Sequence, residues 1–158
     1  MKTLLKTILV GAVLAAASVA MARGAADPIV GTWNLNFAKS TFDPGPAPKS
    51  QTRTYTVDKD GTTLSVSGVA ADGSAVSQQA TFKYDGKAYP MTGAADFDAI
   101  VPKRINDTTV KTTLMKAGKK VGTATRTISN HGKMLTLSTQ VTGADGKVHT
   151  TVLVLDKQ

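Results

Sequence analysis

The chain has 158 residues, with 19 Lys and Arg against 11 Asp and Glu, two His and no Cys. Without cysteine there is no disulfide framework and no thiolate metal site, so stability has to come from an apolar core. The formal net charge of +8 favours anionic partners, yet the basic residues are scattered, with no run longer than Lys119-Lys120. That is the pattern of a solvated surface.

The first 22 residues read as a secretory signal. Lys2 and Lys6 give a positive start, Ile8 to Ala20 is apolar, and Ala20-Met21-Ala22 supplies a small-x-small cleavage site. The apolar stretch is too short to span a bilayer comfortably as a helix, which argues against a retained anchor. Cleavage after Ala22 leaves residues 23–158 as one domain with no lipid-attachment cysteine. The expected location is the periplasm or the medium, with no integral membrane association after cleavage. Removing Lys2 and Lys6 lowers Lys and Arg from 19 to 17 against 11 acids, a net +6.

After a lead-in at 23–30, residues 31–37 alternate, with Trp33, Leu35 and Phe37 on one side and Thr32, Asn34 and Asn36 on the other. This is the period of a strand with one wet face. The run Asp43-Pro44-Gly45-Pro46-Ala47-Pro48 holds three of the six prolines and must be a loop, preceded by one helical turn within 38–42. Beyond it, Asp60-Gly61, Asp72-Gly73, Asp85-Gly86 and Asp145-Gly146 mark tight turns, since Gly accepts positive φ at low cost. Weaker breaks fall at Gly93, Asn106-Asp107, Ala117-Gly118 and His131-Gly132. The segments between them predict strands at 50–58, 62–70, 75–84, 87–91, 97–105, 108–116, 119–129, 133–142 and 147–156. Threonine, 21 of the 136 residues after the signal, suits a pleated sheet with an exposed face.

Sequential short strands without a long crossover predict an all-β fold, an antiparallel up-and-down β-barrel of about 8–10 strands, since closure removes exposed edges. A two-sheet sandwich is the main rival; the immunoglobulin type needs Greek-key crossings and often a Cys-Trp-Cys core. An outer-membrane barrel would need uninterrupted apolar outer faces, which Lys, Arg and Thr break here.

No catalytic set can be named. There is no Gly-x-Ser-x-Gly elbow and no phosphate-cradling glycine loop. His131 and His149 belong to no ligand-spaced cluster, and Asp96 and Asp98 lack a third ligand, so neither a metal nor another cofactor is expected. The aromatics Tyr55, Phe82 and Tyr84 could form a base-stacking platform, but export removes nucleic acid as a partner and favours a core or cavity wall. The faces Leu64, Val66, Gly68 and Ala70, Val121, Thr123, Thr125 and Thr127, and Val148, Thr150, Val152 and Val154 are small enough to leave room inside a barrel, or equally to fill a tight core. Arg126 shares a face with Ala124 and Ile128. If it points inward it needs an aromatic or anionic partner, with Trp33 or an acidic ligand as candidates.

Gly31-Thr32-Trp33 resembles the Gly-x-Trp motif of the lipocalins, in which the Trp closes one end of the barrel, often beneath an Arg from a late strand. The resemblance implies that role for Trp33 and Arg126. The family's second motif, a Thr-Asp-Tyr-like triplet, and its usual cysteines are absent. Residues 31–50, with Tyr84-Asp85-Gly86-Lys87-x-Tyr89-Pro90 and Lys103-Arg104-Ile105, are similar to a group of small exported bacterial lipocalin-like proteins of uncharacterised function. The resulting expectation is an exported lipocalin-like protein, not an enzyme, that binds a small apolar or amphipathic ligand through Trp33, Tyr55, Phe82, Tyr84 and Arg126. The alternative is a protein-interaction module, such as an exported protease inhibitor, acting through the loop at 43–48.

Overall fold

The computed structural model describes residues 27–158 apart from Asn130 and Ala144; the signal segment expected at 1–22 lies outside the described residues. Ten strands follow one another: β1 (Gly31–Leu35), β2 (Ser50–Asp58), β3 (Gly61–Val69), β4 (Ala75–Phe82), β5 (Tyr89–Pro90), β6 (Ala99–Arg104), β7 (Thr109–Lys116), β8 (Lys119–Ser129), β9 (Met134–Thr142) and β10 (Val148–Lys157). All pair antiparallel in a single sheet ordered β4-β3-β2-β1-β10-β9-β8-β7-β6-β5. Every neighbour is a neighbour in sequence except β1 and β10, which join the two ends of the chain through Trp33↔Lys157 and Leu35↔Leu155. The result is an up-and-down meander, nearly closed into a barrel.

The closing seam lies between β4 and β5, and it is slight. Gln79 and Thr92 exchange two backbone hydrogen bonds, at 3.2 and 2.9 Å, and form an isolated bridge there. β5 is only two residues long and one is Pro90, which has no N–H to donate. Gly93 is required beside it, because a Cβ at this position would overlap the Ser77 carbonyl oxygen on β4.

Aspartates hold the hairpins. Asp58 Oδ1 accepts from the N–H of Asp60 at 2.8 Å, Asp72 Oδ1 from Ser74 at 2.8 Å, and Asp145 Oδ1 from Lys147 at 3.0 Å. Each short carboxylate satisfies a turn N–H while the following Gly takes positive φ. β1 stops at Leu35, two residues before the alternation predicts, because Asn36 caps a 3-10 turn over Phe37–Lys39, its Oδ1 accepting from Lys39 N at 3.2 Å. No α-helix occurs among the described residues.

Register fixes which side chains face inward. On β3 these are Leu64, Val66 and Gly68, as the sequence suggests. On β8 and β10 the inward set is Gly122, Ala124, Arg126 and Ile128, paired through β9 with His149, Thr151, Leu153 and Leu155. Of the sets expected inside, Thr123, Thr125 and Thr127 on β8 and Val148, Thr150 and Val152 on β10 therefore face outward, while Val121 packs against the core at the β7–β8 irregularity. Outside, the β-branched threonines pack beside one another and bond across strands, as in Thr63–Thr81 at 2.9 Å between hydroxyl oxygens.

Candidate functional site

The two ends of the barrel differ. The base is plugged by the lead-in. Asp27 pairs with Arg104 on β6, opposite β1 in the ring, and Ile29 between them is fully buried. Trp33, also fully buried, donates from Nε1 to the Ile29 carbonyl at 2.8 Å. Lys157 stands 5.0 Å over the Trp33 ring and donates to the Pro28 carbonyl at 3.1 Å. Leu135 and Leu155, both fully buried, complete this layer.

One inward position further along the strands, packing stops short of filling the barrel. A cavity of about 230 Å³ remains, walled by Tyr55, Leu64, Phe82, Ile100, Leu114, Ala124, Leu137 and Leu153. Its polar contributors are Gln51 and Arg53 on β2, Gln78 on β4, Thr112 on β7, the facing pair Thr139 and Thr151, and Arg126. No carboxylate lines it.

Arg126 is 7% exposed. Its guanidinium lies 5.4 Å from the ring centroids of both Tyr55 and Tyr84, and Nη2 donates to the Tyr84 hydroxyl at 3.0 Å. Nε has no hydrogen-bond partner among the described residues. A second guanidinium uses the same ring, with Arg104 stacked 4.2 Å from the Tyr84 centroid. The two arginines differ in one respect: Arg104 has the Asp27 carboxylate, and Arg126 has none.

The five residues expected to bind ligand thus fall into three places. Tyr55, Phe82 and Arg126 are on the cavity wall. Tyr84 stands behind Arg126 and meets Phe82 edge-on, with centroids 5.5 Å apart. Trp33 lies in the base, and its cation is Lys157 rather than Arg126. The late-strand Arg over Trp implied by the lipocalin resemblance is therefore replaced by a lysine from the last strand. Arg53, Gln51 and Gln78 were not anticipated. Their signal is the register Arg53↔Val66↔Gln78, which carries the inward face of β3 onto both neighbours.

The remaining polar candidates serve the frame. Asp98 accepts from Ala117 N at 2.9 Å and ties the β5–β6 segment to the β7–β8 turn. His131 occupies a turn with φ of 53°. His149, at the rim, lies 3.4 Å from both Asp43 and Asp145 and so links the proline-rich loop to the β9–β10 hairpin. That loop is further held by Thr151 Oγ1, which donates to the Asp43 carbonyl at 2.9 Å. The Tyr89 hydroxyl donates to Asp85 at 2.9 Å; burial, then this carboxylate, raises the Tyr89 pKa. No group of three His, Cys, Asp or Glu among the described residues is placed to hold a metal ion.

Comparison with family models and with curated proteins gave no match, so the chemistry rests on this site.

Proposed function

We propose that the protein is an exported, lipocalin-like carrier that binds one small amphipathic molecule inside the barrel. A single observation carries this reading: above a fully packed base the interior is left open, with a wall that is mainly apolar and a few polar groups converging on it. Protein interiors normally pack to the density of organic crystals, and an unfilled core costs stability. Such a void is maintained at a cost, which an occupant offsets. An apolar wall with a few hydroxyl, amide and guanidinium groups suits the holding of an amphipathic molecule, which supports the binding reading.

The test is saturable binding of a neutral fluorescent reporter, N-phenyl-1-naphthylamine, to the purified protein, repeated on Ala124→Phe. Ala124 is a buried wall residue, and the larger side chain would occupy the space the reporter needs. Expected are one site in the parent and at least tenfold weaker binding in the variant, with the far-ultraviolet circular dichroism unchanged. A parent that does not bind, or a variant that binds equally well, would end the proposal.

A further inference from the structure

We propose that the occupant is a single-chain amphiphile carrying one negative charge, a carboxylate by preference, whose head group seats against Arg126; this rests on the ligand-binding reading above. Three observations lead there. A guanidinium has five N–H donors, and Arg126, itself buried, spends one on Tyr84 while its Nε is left without a partner among the described residues. A buried charge is stable only when paired or hydrogen-bonded, and the flanking Tyr55 and Tyr84 rings compensate it in part. The missing component is an anion.

Among the described residues nothing supplies it. All 11 acidic residues are aspartates, whose reach is short, and none lines the cavity. The carboxylate of the base plug, Asp27, is taken by Arg104, with Oδ1 also accepting from Ile29 N at 3.1 Å. Arg53 enters the same cavity from β2, with Nε directed to Gln51 Oε1 at 3.4 Å, and adds positive potential. A carboxylate accepts two parallel bonds from a guanidinium, the geometry in which arginine binds most strongly.

Size and charge define the class further. The cavity, about 230 Å³, lies below the ~300–1,000 Å³ common for drug-sized ligands, which excludes a two-chain lipid. Arg126 is the buried guanidinium of the wall, Arg53 being only partly buried with its Nε on Gln51, and one buried cation matches a monoanion better than a phosphate carrying about two charges at neutral pH. The apolar wall beyond it, with Leu114, Leu137 and Leu153, receives the chain.

The experiment measures displacement of N-phenyl-1-naphthylamine by decanoate, decanol, methyl decanoate and decyl phosphate. On the parent protein, decanoate should displace at least tenfold more tightly than its neutral analogues and more tightly than decyl phosphate. Arg126→Met should lose about ten- to a hundredfold for decanoate, the span of a charged hydrogen bond, while still binding decanol. Its ligand-free melting temperature should hold or rise, because an unpaired buried cation has been replaced by an apolar chain. Equal binding of decanoate and decanol by the parent overturns the proposal without any variant, as does decyl phosphate as the tightest ligand. An Arg126→Met protein that melts lower yet keeps its preference for decanoate assigns the arginine a purely structural role and overturns it too. If the reporter never binds, the cavity reading itself fails, which is a separate result.

Discussion

Replacing Trp33 by Phe separates the base of the barrel from its cavity. The indole N–H is the donor to the Ile29 carbonyl at 2.8 Å, and both residues are fully buried. Phenylalanine keeps a ring in the pocket but removes that donor, and a buried carbonyl left unpaired costs about 1–3 kcal/mol. Lys157, 5.0 Å over the ring, also loses the better π partner, a further loss of about 0.5–1 kcal/mol. Roughly 1.5–4 kcal/mol should therefore disappear from the unfolding free energy, a large share of the ~5–15 kcal/mol typical of a domain. Urea titration followed by far-ultraviolet circular dichroism reads this without using the deleted tryptophan as a probe. The affinity for the cavity ligand should stay within about twofold, because Trp33 lies beneath the cavity and does not line it. A folded Trp33→Phe protein that loses tenfold in ligand affinity would refute the placement of Trp33 outside the site. A cost below about 0.5 kcal/mol would refute the argument about the Ile29 carbonyl.

Two other outcomes follow from the frame. Bonds from the Ser74 hydroxyl and N–H hold the Asp72 carboxyl below its ordinary pKa of 3.8, and the Lys147 N–H, followed by His149, does the same for Asp145. Depressed carboxylate pKa values contribute stability that is complete above the unfolded value and is lost as pH falls through the folded ones. The melting temperature should therefore drop as pH is lowered below about 4, less steeply in Asp145→Asn; a flat profile down to pH 2 would refute this. Gly93→Ala should split the Gln79–Thr92 bridge, because the new methyl overlaps the Ser77 carbonyl and φ there is +76°. Amide exchange should quicken at residues 79 and 92 while β8 and β9 keep their protection, and the left-handed backbone should cost about 1–2 kcal/mol. Unchanged exchange at Gln79 would mean that the seam is not held by this bridge.

Much of the architecture was legible because the turns and the alternation agree. β2 and β8 begin and end where the turn signals and the period-2 pattern put them, β2 between the proline-rich loop and Asp60-Gly61 and β8 between Ala117-Gly118 and His131-Gly132. The β1–β10 pairing was legible only as the closure of a barrel; its register was not, since residues more than a hundred positions apart meet there and no local signal marks it. The inward face of β8 was misread for a chemical reason. Threonine packs on a pleated sheet as readily outside as inside, whereas Gly122, Ala124, Arg126 and Ile128 look too mixed to be a wall. Arg126 illustrates both sides. Alternation put it on one face with Ala124 and Ile128, but which side that face took and what partners it met were beyond sequence reasoning, because Lys157 had to be known to occupy Trp33 and Asp27 to occupy Arg104.

The pairing of first strand with last also sets an order in time. While the chain is being made, Trp33 emerges well before Lys157, so the tryptophan waits through nine further strands before its cover exists. Closure must then draw the two ends of the chain together, a non-local step of the kind that makes β-barrels fold on the order of milliseconds to seconds. Until that step the base has no plug, and Ile29 and Trp33 are exposed apolar surface. The fully buried base of the finished barrel is thus among the last of its layers to be covered.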